Sequence, residues 1–346
     1  MGDLTTALPH AFGGPAGTGV IKTSPEDFVV EELLGFEPSG EGEHVFLRVE
    51  KRGENTEYVA RQLARFAGIR ARDIGYAGLK DRHGKTAQWY SVWLPGKAEP
   101  DWQQLESSSL SLLEVRRNSR KLKKGPATGN RFEITVRELK SDPSLLEQRL
   151  KQIGERGVPN YFGTQRFGRD GQNVVKALAL FAGTLERGDT HRRGIYLSAA
   201  RSYLFNRILA NRVMQNIWDQ AVSGDAFMFP DSRSFFKPET FTPDITQRLE
   251  AKEIHPSGVL WGRGTPVVTD QALAIEAVIA EEETDLCRGL EDYGVDMARR
   301  PLRVCPEDFR WELSDPTSLR LRFTLPAGAY ATTVLRELVD TDYSDD

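Results

Sequence analysis

Cysteine is nearly absent: 346 residues carry only Cys287 and Cys305. Two cysteines cannot build a disulfide framework or a four-thiolate zinc site. No apolar run approaches the ~20 residues that a membrane helix needs, so no membrane partner is expected. The histidines, His10, His44, His83, His191 and His255, stand apart. None has the spacing of H-E-x-x-H and no C-x-x-C occurs, so no metal site is expected. A G-x-S-x-G elbow is missing as well.

The glycine-rich stretch Gly13-Gly14-Pro15-Ala16-Gly17-Thr18-Gly19 invites a phosphate-loop reading, which fails. Lys22 lies three residues beyond Gly19 instead of following it directly. Val20-Ile21-Lys22 after Gly17-Thr18-Gly19 also breaks the dinucleotide pattern. No cofactor is expected, and chemistry is left to carboxylates and basic groups. The first residues lack a basic stretch followed by an apolar core, so no secretory signal is read there. A cytoplasmic protein is expected, with no obligate protein partner evident.

What is present is an ordinary globular balance, 39% hydrophobic and 28% charged, which excludes a disordered chain. At about 150 residues per domain, the length suggests two domains. Two strands are read over 26–51, where Val45, Leu47 and Val49 alternate with His44, Phe46 and Arg48. A helix is read from Thr56 to Ala67, with Val59, Leu63 and Phe66 on one face and Gly68 as its stop. Aromatic strands are expected at 74–79 and 86–94, joined by the polar turn 80–85. Phe132, Ile134 and Val136 share one face of a further strand.

Helical pattern dominates 143–218, where Phe205, Leu209, Val213 and Ile217 step by four, and one long helix is expected near 270–290. Alternation returns at Leu319, Leu321, Phe323 and Leu325, before a short helix near 331–339. Strand-rich flanks around a helix-rich middle suggest an α+β body interrupted by an insertion.

A net charge of −4 argues against a nucleic-acid partner only as an average. Arg116, Arg117, Arg120, Lys121, Lys123, Lys124 and Arg131 lie between Glu114 and Glu133 with no acid among them. Arg192, Arg193, Arg201, Arg207 and Arg212 form a second such run, and Arg70, Arg72, Lys80, Arg82 and Lys85 a third around Asp73 and Asp81. The offsetting acids gather at Glu281-Glu282-Glu283 and in the tail. A lone basic run is usually a solvated face; three point to RNA phosphates.

Asp81 lies between Lys80 and Arg82 in the turn, and most aspartates in such turns do nothing chemical. The wider string Gly78-Leu79-Lys80-Asp81-Arg82-His83-Gly84-Lys85-Thr86-Ala87-Gln88-Trp89 resembles the catalytic motif of the TruD family of pseudouridine synthases. Four further blocks resemble that family in its order: Pro25 to Glu32, Gly129-Asn130-Arg131-Phe132, Gly157 to Gly168, and Leu325 to Thr332.

The resemblance implies isomerisation of uridine to pseudouridine in transfer RNA, at uridine 13 of the D-arm for bacterial members, with Asp81 as nucleophile. It implies a mixed-sheet catalytic domain from 1–155 and 305–346, with an α/β TRUD domain inserted at 156–304. Phe28, Asn130 and Tyr330 match positions that contact the flipped uridine, and Lys22 matches a basic position of the N-terminal motif. Tyr330 departs from the phenylalanine frequent there, which adds a hydroxyl to the stacking ring. Lys80, Arg82, Arg116, Arg117, Arg120, Lys121, Lys123, Lys124, Arg192, Arg193 and Arg201 are the expected RNA-facing basic residues.

The residue types suit the reaction. Breaking N1–C1′ and joining C5 to C1′ gains or loses no atom overall. An aspartate, with an ordinary pKa of ~3.9, is already ionised at neutral pH and needs no activating base. Rival readings are a non-catalytic RNA-binding protein or tRNA folding chaperone, and an RNA-cleaving hydrolase working through carboxylates.

Overall fold

A computed structural model describes residues 8–123, 125, 127–185, 190–230 and 232–343 of the chain. Packing divides it into two compact units. One holds the described residues of Gly17–Asp142, Pro306–Gly328 and Asp340–Asp346; the other holds those of Met1–Ala16, Pro143–Cys305 and Ala329–Val339.

The first unit is built on a ten-stranded mixed sheet. Its main order is Glu307–Asp315, Ser318–Pro326, Ala127–Ser141, Phe28–Leu34, Lys85–Trp93, His44–Arg52 and Leu110–Asn118. Neighbours along this path run antiparallel except Phe28–Leu34 and Lys85–Trp93, which are parallel, with Val30 opposite Thr86. That parallel pair brings the starts of both strands to the same edge. The residues leading into each strand therefore meet there.

Val45, Leu47 and Val49 are buried as their alternation requires, against Val59 and Leu63 of the helix Thr56–Phe66 and Tyr90 and Val92 of the neighbouring strand. Phe46 points the other way but is buried too, with Trp89 and Leu122, because that face of the sheet is also covered. Phe132, Ile134 and Val136 are buried as well, in a strand that runs the full length of Ala127–Ser141.

The second unit is α/β. Its long helix Thr190–Met214 packs against Gln172–Phe181, Asp270–Glu282 and the strand His255–Leu260. That strand lies in a four-stranded sheet beside Phe227–Met228 and Ala298–Pro301. The helix stops before the expected Ile217: Asn216 turns left-handed (φ 55°), and Ile217 N–H closes back on the Arg212 carbonyl.

The single helix expected near 270–290 is two, Asp270–Glu282 and Thr284–Asp292, broken at Glu283 (φ −116°, ψ 39°). Glu283 is held away from helical geometry where its carboxylate takes Arg207 and the Tyr203 hydroxyl. The helix Pro143–Arg156, which the sequence layout attaches partly to the strand-rich flank, buries Leu146, Leu150 and Ile153 in this unit and packs on Ala331–Leu338. Among the described residues, no helix is long and apolar enough to cross a membrane.

Candidate active site

The site forms at the edge where the two parallel strands begin. Lys22 precedes Phe28–Leu34, and Asp81 precedes Lys85–Trp93. Lys22 Nζ lies 2.5 Å from Asp81 Oδ2 and 4.6 Å from the centroid of the Phe28 ring. The second Asp81 oxygen accepts the His83 N–H at 3.0 Å. Phe28 is 5% exposed and meets Phe132 edge-on. Gly84 permits this closeness, since a Cβ there would stand 2.5 Å from the Phe28 carbonyl oxygen.

The segment bearing Phe28 is clamped before it enters the sheet. Asp27 accepts from Ser24 N–H and Oγ, and Arg137 binds both its oxygens at 2.7 and 2.8 Å. Burial opposes ionisation of Asp27, but Arg137 and Ser24 outweigh it and hold the carboxyl below its ordinary range.

Asp81 is governed by the same competition. Burial raises its pKa; the Lys22 ammonium and the His83 N–H lower it further than burial raises it, so the carboxyl is held below its ordinary value. The result is a half-buried carboxylate ionised at neutral pH.

Buried polar groups absent from the sequence reading hold the turn. Lys80 N–H donates to Thr56 Oγ1 at 3.0 Å, and Thr56 donates to Gln88 Oε1 at 2.7 Å. Gln88 in turn donates to the Gly78 carbonyl at 3.1 Å. Lys80 Nζ lies 2.6 Å from Glu32, whose other oxygen accepts the Trp89 N–H. Lys51, wholly buried, donates to the carbonyls of Asp81 and Glu54 at 2.6 and 2.7 Å. Burial takes Lys51 down to about 8, against the pull of the Asp81 carboxylate. Thr56 and Gln88 sit inside recognisable elements, but nothing in their spacing marks them as supports.

Asn130 lies opposite Glu32 and Leu325 in register, on the strand next to that of Phe28. Its Oδ1 is buried and has no hydrogen-bond partner among the described residues, so it keeps an unused acceptor. Tyr330 belongs to the other unit, where it caps the helix Ala331–Leu338. There its hydroxyl accepts from Arg166 at 3.2 Å and its ring meets Phe162. The structure thus brings Lys22, Phe28 and Asp81 together, with Asn130 on the adjoining strand.

The basic residues differ in what surrounds them. Lys80 turns inward to Glu32 and is only 10% exposed, so it is not a surface cation. Arg82, Arg116, Arg120 and Lys123 are exposed, although Arg116 also pairs with Glu114. Arg117 pairs with Glu99, and Lys121 donates to the Arg72 carbonyl at 2.6 Å, which joins two of the runs. Lys124 lies outside the described residues.

Arg192 and Arg193 are exposed near the start of Thr190–Met214. Arg201 is drawn onto the carbonyls of Leu260 and Asp296. Arg207 pairs with Glu282 and Glu283, and Arg212 with Asp225. That run is acid-free along the chain but largely neutralised across it. Among the described residues, no three His, Cys, Asp or Glu side chains gather as a metal site would require.

Comparison with known proteins gives one answer along nearly the whole chain. A family model described as tRNA pseudouridine synthase D (TruD) matches residues 10–186 and 172–338. The tRNA pseudouridine synthase D of Methylococcus capsulatus is 52% identical over 335 residues, covering 97% of this chain and 95% of its own. That of Nitrosococcus oceani is 47% identical, covering 96% and 94%. That of Xanthomonas axonopodis pv. citri is 46% identical, covering 97% and 95%.

A crystal structure of a Methanosarcina mazei chain assigned as tRNA pseudouridine synthase D has a TM-score of 0.74. It is 23% identical and covers 96% of this chain and 95% of that one, a likeness of fold. With a family model and close relatives spanning both units, the chain belongs to the tRNA pseudouridine synthase D (TruD) family.

Proposed function

We propose that this protein isomerises uridine 13 in the D-arm of transfer RNA to pseudouridine, with Asp81 as the nucleophile. Family membership carries the coarser statement, that it is a tRNA pseudouridine synthase. The observation that supports Asp81 in that role is its ion pair with Lys22 at 2.5 Å, at the edge where the two parallel strands begin, while uridine 13 rests on the resemblance to the family's bacterial members. An aspartate kept ionised there needs no general base.

The N1–C1′ bond of the uridine breaks, the freed uracil rotates, and C5 joins C1′. The proton on C5 passes to water and N1, released from C1′, takes a proton from water, so the product is an isomer. Flipping the uridine out of folded RNA costs a few kcal/mol. In this reading Phe28 contacts the flipped base, a stacking contact of this kind contributing ~1–3 kcal/mol. Asn130 offers its unused Oδ1 to a donor on the uracil edge. Arg82, Arg120, Lys123, Arg192 and Arg193, all exposed, are left to meet RNA phosphates. In this reading residues 1–155 and 305–346 form the catalytic domain and 156–304 the inserted TRUD domain.

The test is tritium release to water from transfer RNA labelled at uracil C5. Intact protein should release it, and a transfer RNA with cytidine at position 13 should not. Asp81→Asn should bind transfer RNA and release nothing. Substantial turnover by that variant would remove Asp81 from the role, and release from the cytidine-13 substrate would remove the site.

A further inference from the structure

Three lysines surround Asp81, and they end differently. Lys22 ends on the Asp81 carboxylate and Lys80 on the Glu32 carboxylate. Lys51 ends on two main-chain carbonyls, Asp81 O at 2.6 Å and Glu54 O at 2.7 Å, and is 0% exposed. Burying an ammonium against neutral acceptors is costly. A methionine of the same reach would fill this interior without that cost.

What the ammonium does there is specific. It holds the peptide that follows Asp81, while Thr56 holds Lys80 N–H and Gln88 holds the Gly78 carbonyl. Among these anchors, Lys51 is the one that grips Asp81 itself and carries charge. We propose that Lys51 is a positioning residue for Asp81: it fixes the nucleophile's main chain from the buried side of the turn and holds there a positive charge that turnover requires. This rests on Asp81 acting as the nucleophile.

The charged groups that face Lys51 are few. Asp81 and Glu54 favour its protonated form, and Lys80 and burial oppose it, bringing it to about 8. Thr86 and Leu110, opposite it in register on the flanking strands, are uncharged. Around neutrality the group is therefore an ammonium, and above about pH 8 it becomes an amine. An amine still has two N–H groups for the two carbonyls. Alkaline pH thus removes the charge and leaves the anchors, whereas Lys51→Met removes both.

The experiment is single-turnover tritium release from uracil-labelled transfer RNA between about pH 6 and about pH 10, with kcat and KM measured separately at neutral pH. Wild-type turnover should fall above about pH 8 with KM unchanged. Lys51→Met should lose about 100-fold in kcat, the scale of a nucleophile misplaced by about 1 Å, with KM intact. Its residual rate should show no such alkaline fall. A purely structural role would not move the alkaline limb. Wild-type kcat in Lys51→Met, or an alkaline limb that survives in it, overturns the inference. So does a change confined to KM.

A second measurement covers failure of that variant to fold. The Lys51 side-chain nitrogen, followed by NMR, should titrate near pH 8 in wild type and lower in Asp81→Asn, where the carboxylate favouring the ammonium is gone. An unmoved midpoint overturns the coupling. Retained turnover in Asp81→Asn defeats the nucleophile reading itself. An inactive Asp81→Asn beside an unimpaired Lys51→Met defeats only the positioning role.

Discussion

The Lys22 ammonium meets the Asp81 carboxylate at 2.5 Å across 59 residues of chain. Lys22 makes that reach from a left-handed backbone, φ 61°, which non-glycine residues rarely adopt. Two uncommon features thus coincide at one contact, a strained lysine and a half-buried carboxylate. Each is accounted for by the other: the strained turn delivers the cation, and the cation keeps the carboxylate charged.

Replacing Lys22 with methionine should therefore act on pH dependence first. With Lys22 present the Asp81 carboxyl lies below its ordinary value, so the ionised form persists to lower pH. In stability terms the pair contributes above the unfolded pKa of ~3.9, and the contribution is lost as pH falls through the lower folded value. Without Lys22 burial is left less opposed, and the acid limb of the rate profile should move to higher pH. An acid limb that stays in place would show that Lys22 does not tune Asp81.

Gly84→Ala should hurt turnover more than folding. The new Cβ would stand 2.5 Å from the Phe28 carbonyl oxygen and 3.2 Å from Phe28 Cδ1, so the turn and the strand must separate. Overpacking of this kind costs about 1–3 kcal/mol. The displacement falls between Phe28 and the turn carrying Asp81, so we expect kcat to drop by more than that stability loss would explain. Urea unfolding and tritium release, measured on the same preparation, check it.

Glu32→Ala removes one end of a buried pair. Lys80 Nζ would lose its acceptor at 2.6 Å and the Trp89 N–H its acceptor at 3.2 Å. Stranding a buried charge costs about 3–5 kcal/mol. Lys80→Met in the same chain should recover part of the loss, because no ammonium is then left without a partner. Denaturant unfolding of the single and double variants measures both steps.

His255 should make the α/β unit sensitive to acid. Its Nδ1 accepts the Arg303 Nε–H at 3.0 Å, which requires a neutral ring, and burial first, then Arg303 and Lys252, take its pKa down to about 3. The unfolded chain binds this proton at about pH 6.5, before the folded chain does. Stability is thus full above that value and falls on acidification towards about 3, by up to about 1.4 kcal/mol per pH unit. Substituting His255 with glutamine should flatten that slope in unfolding followed between about pH 6 and about pH 4.

Much of this was legible in the sequence where the signal is local. The helix Thr56–Phe66 follows from Val59 and Leu63 four residues apart, and the strand at Phe132, Ile134 and Val136 from alternation. Asp81 stands out because its identifying string is contiguous. The break at Glu283 was not legible, since what holds it there is Arg207, 76 residues away. The basic run through Arg207 and Arg212 looked free for the same reason: its counter-charges, Glu282, Glu283 and Asp225, arrive from other elements.

Residue type and local spacing pointed to most of the elements and singled out Asp81 as the candidate, and ordered blocks along the chain pointed to the family, because each signal is carried by contiguous residues. Only the tertiary structure decided which charges face solvent, that Lys80 turns inward to Glu32, and that Lys51 grips Asp81 from the interior. The physical reason is that strand register, not sequence distance, sets which groups share a low-dielectric interior. There a lysine needs acceptors, and the turn carrying Asp81 supplies one.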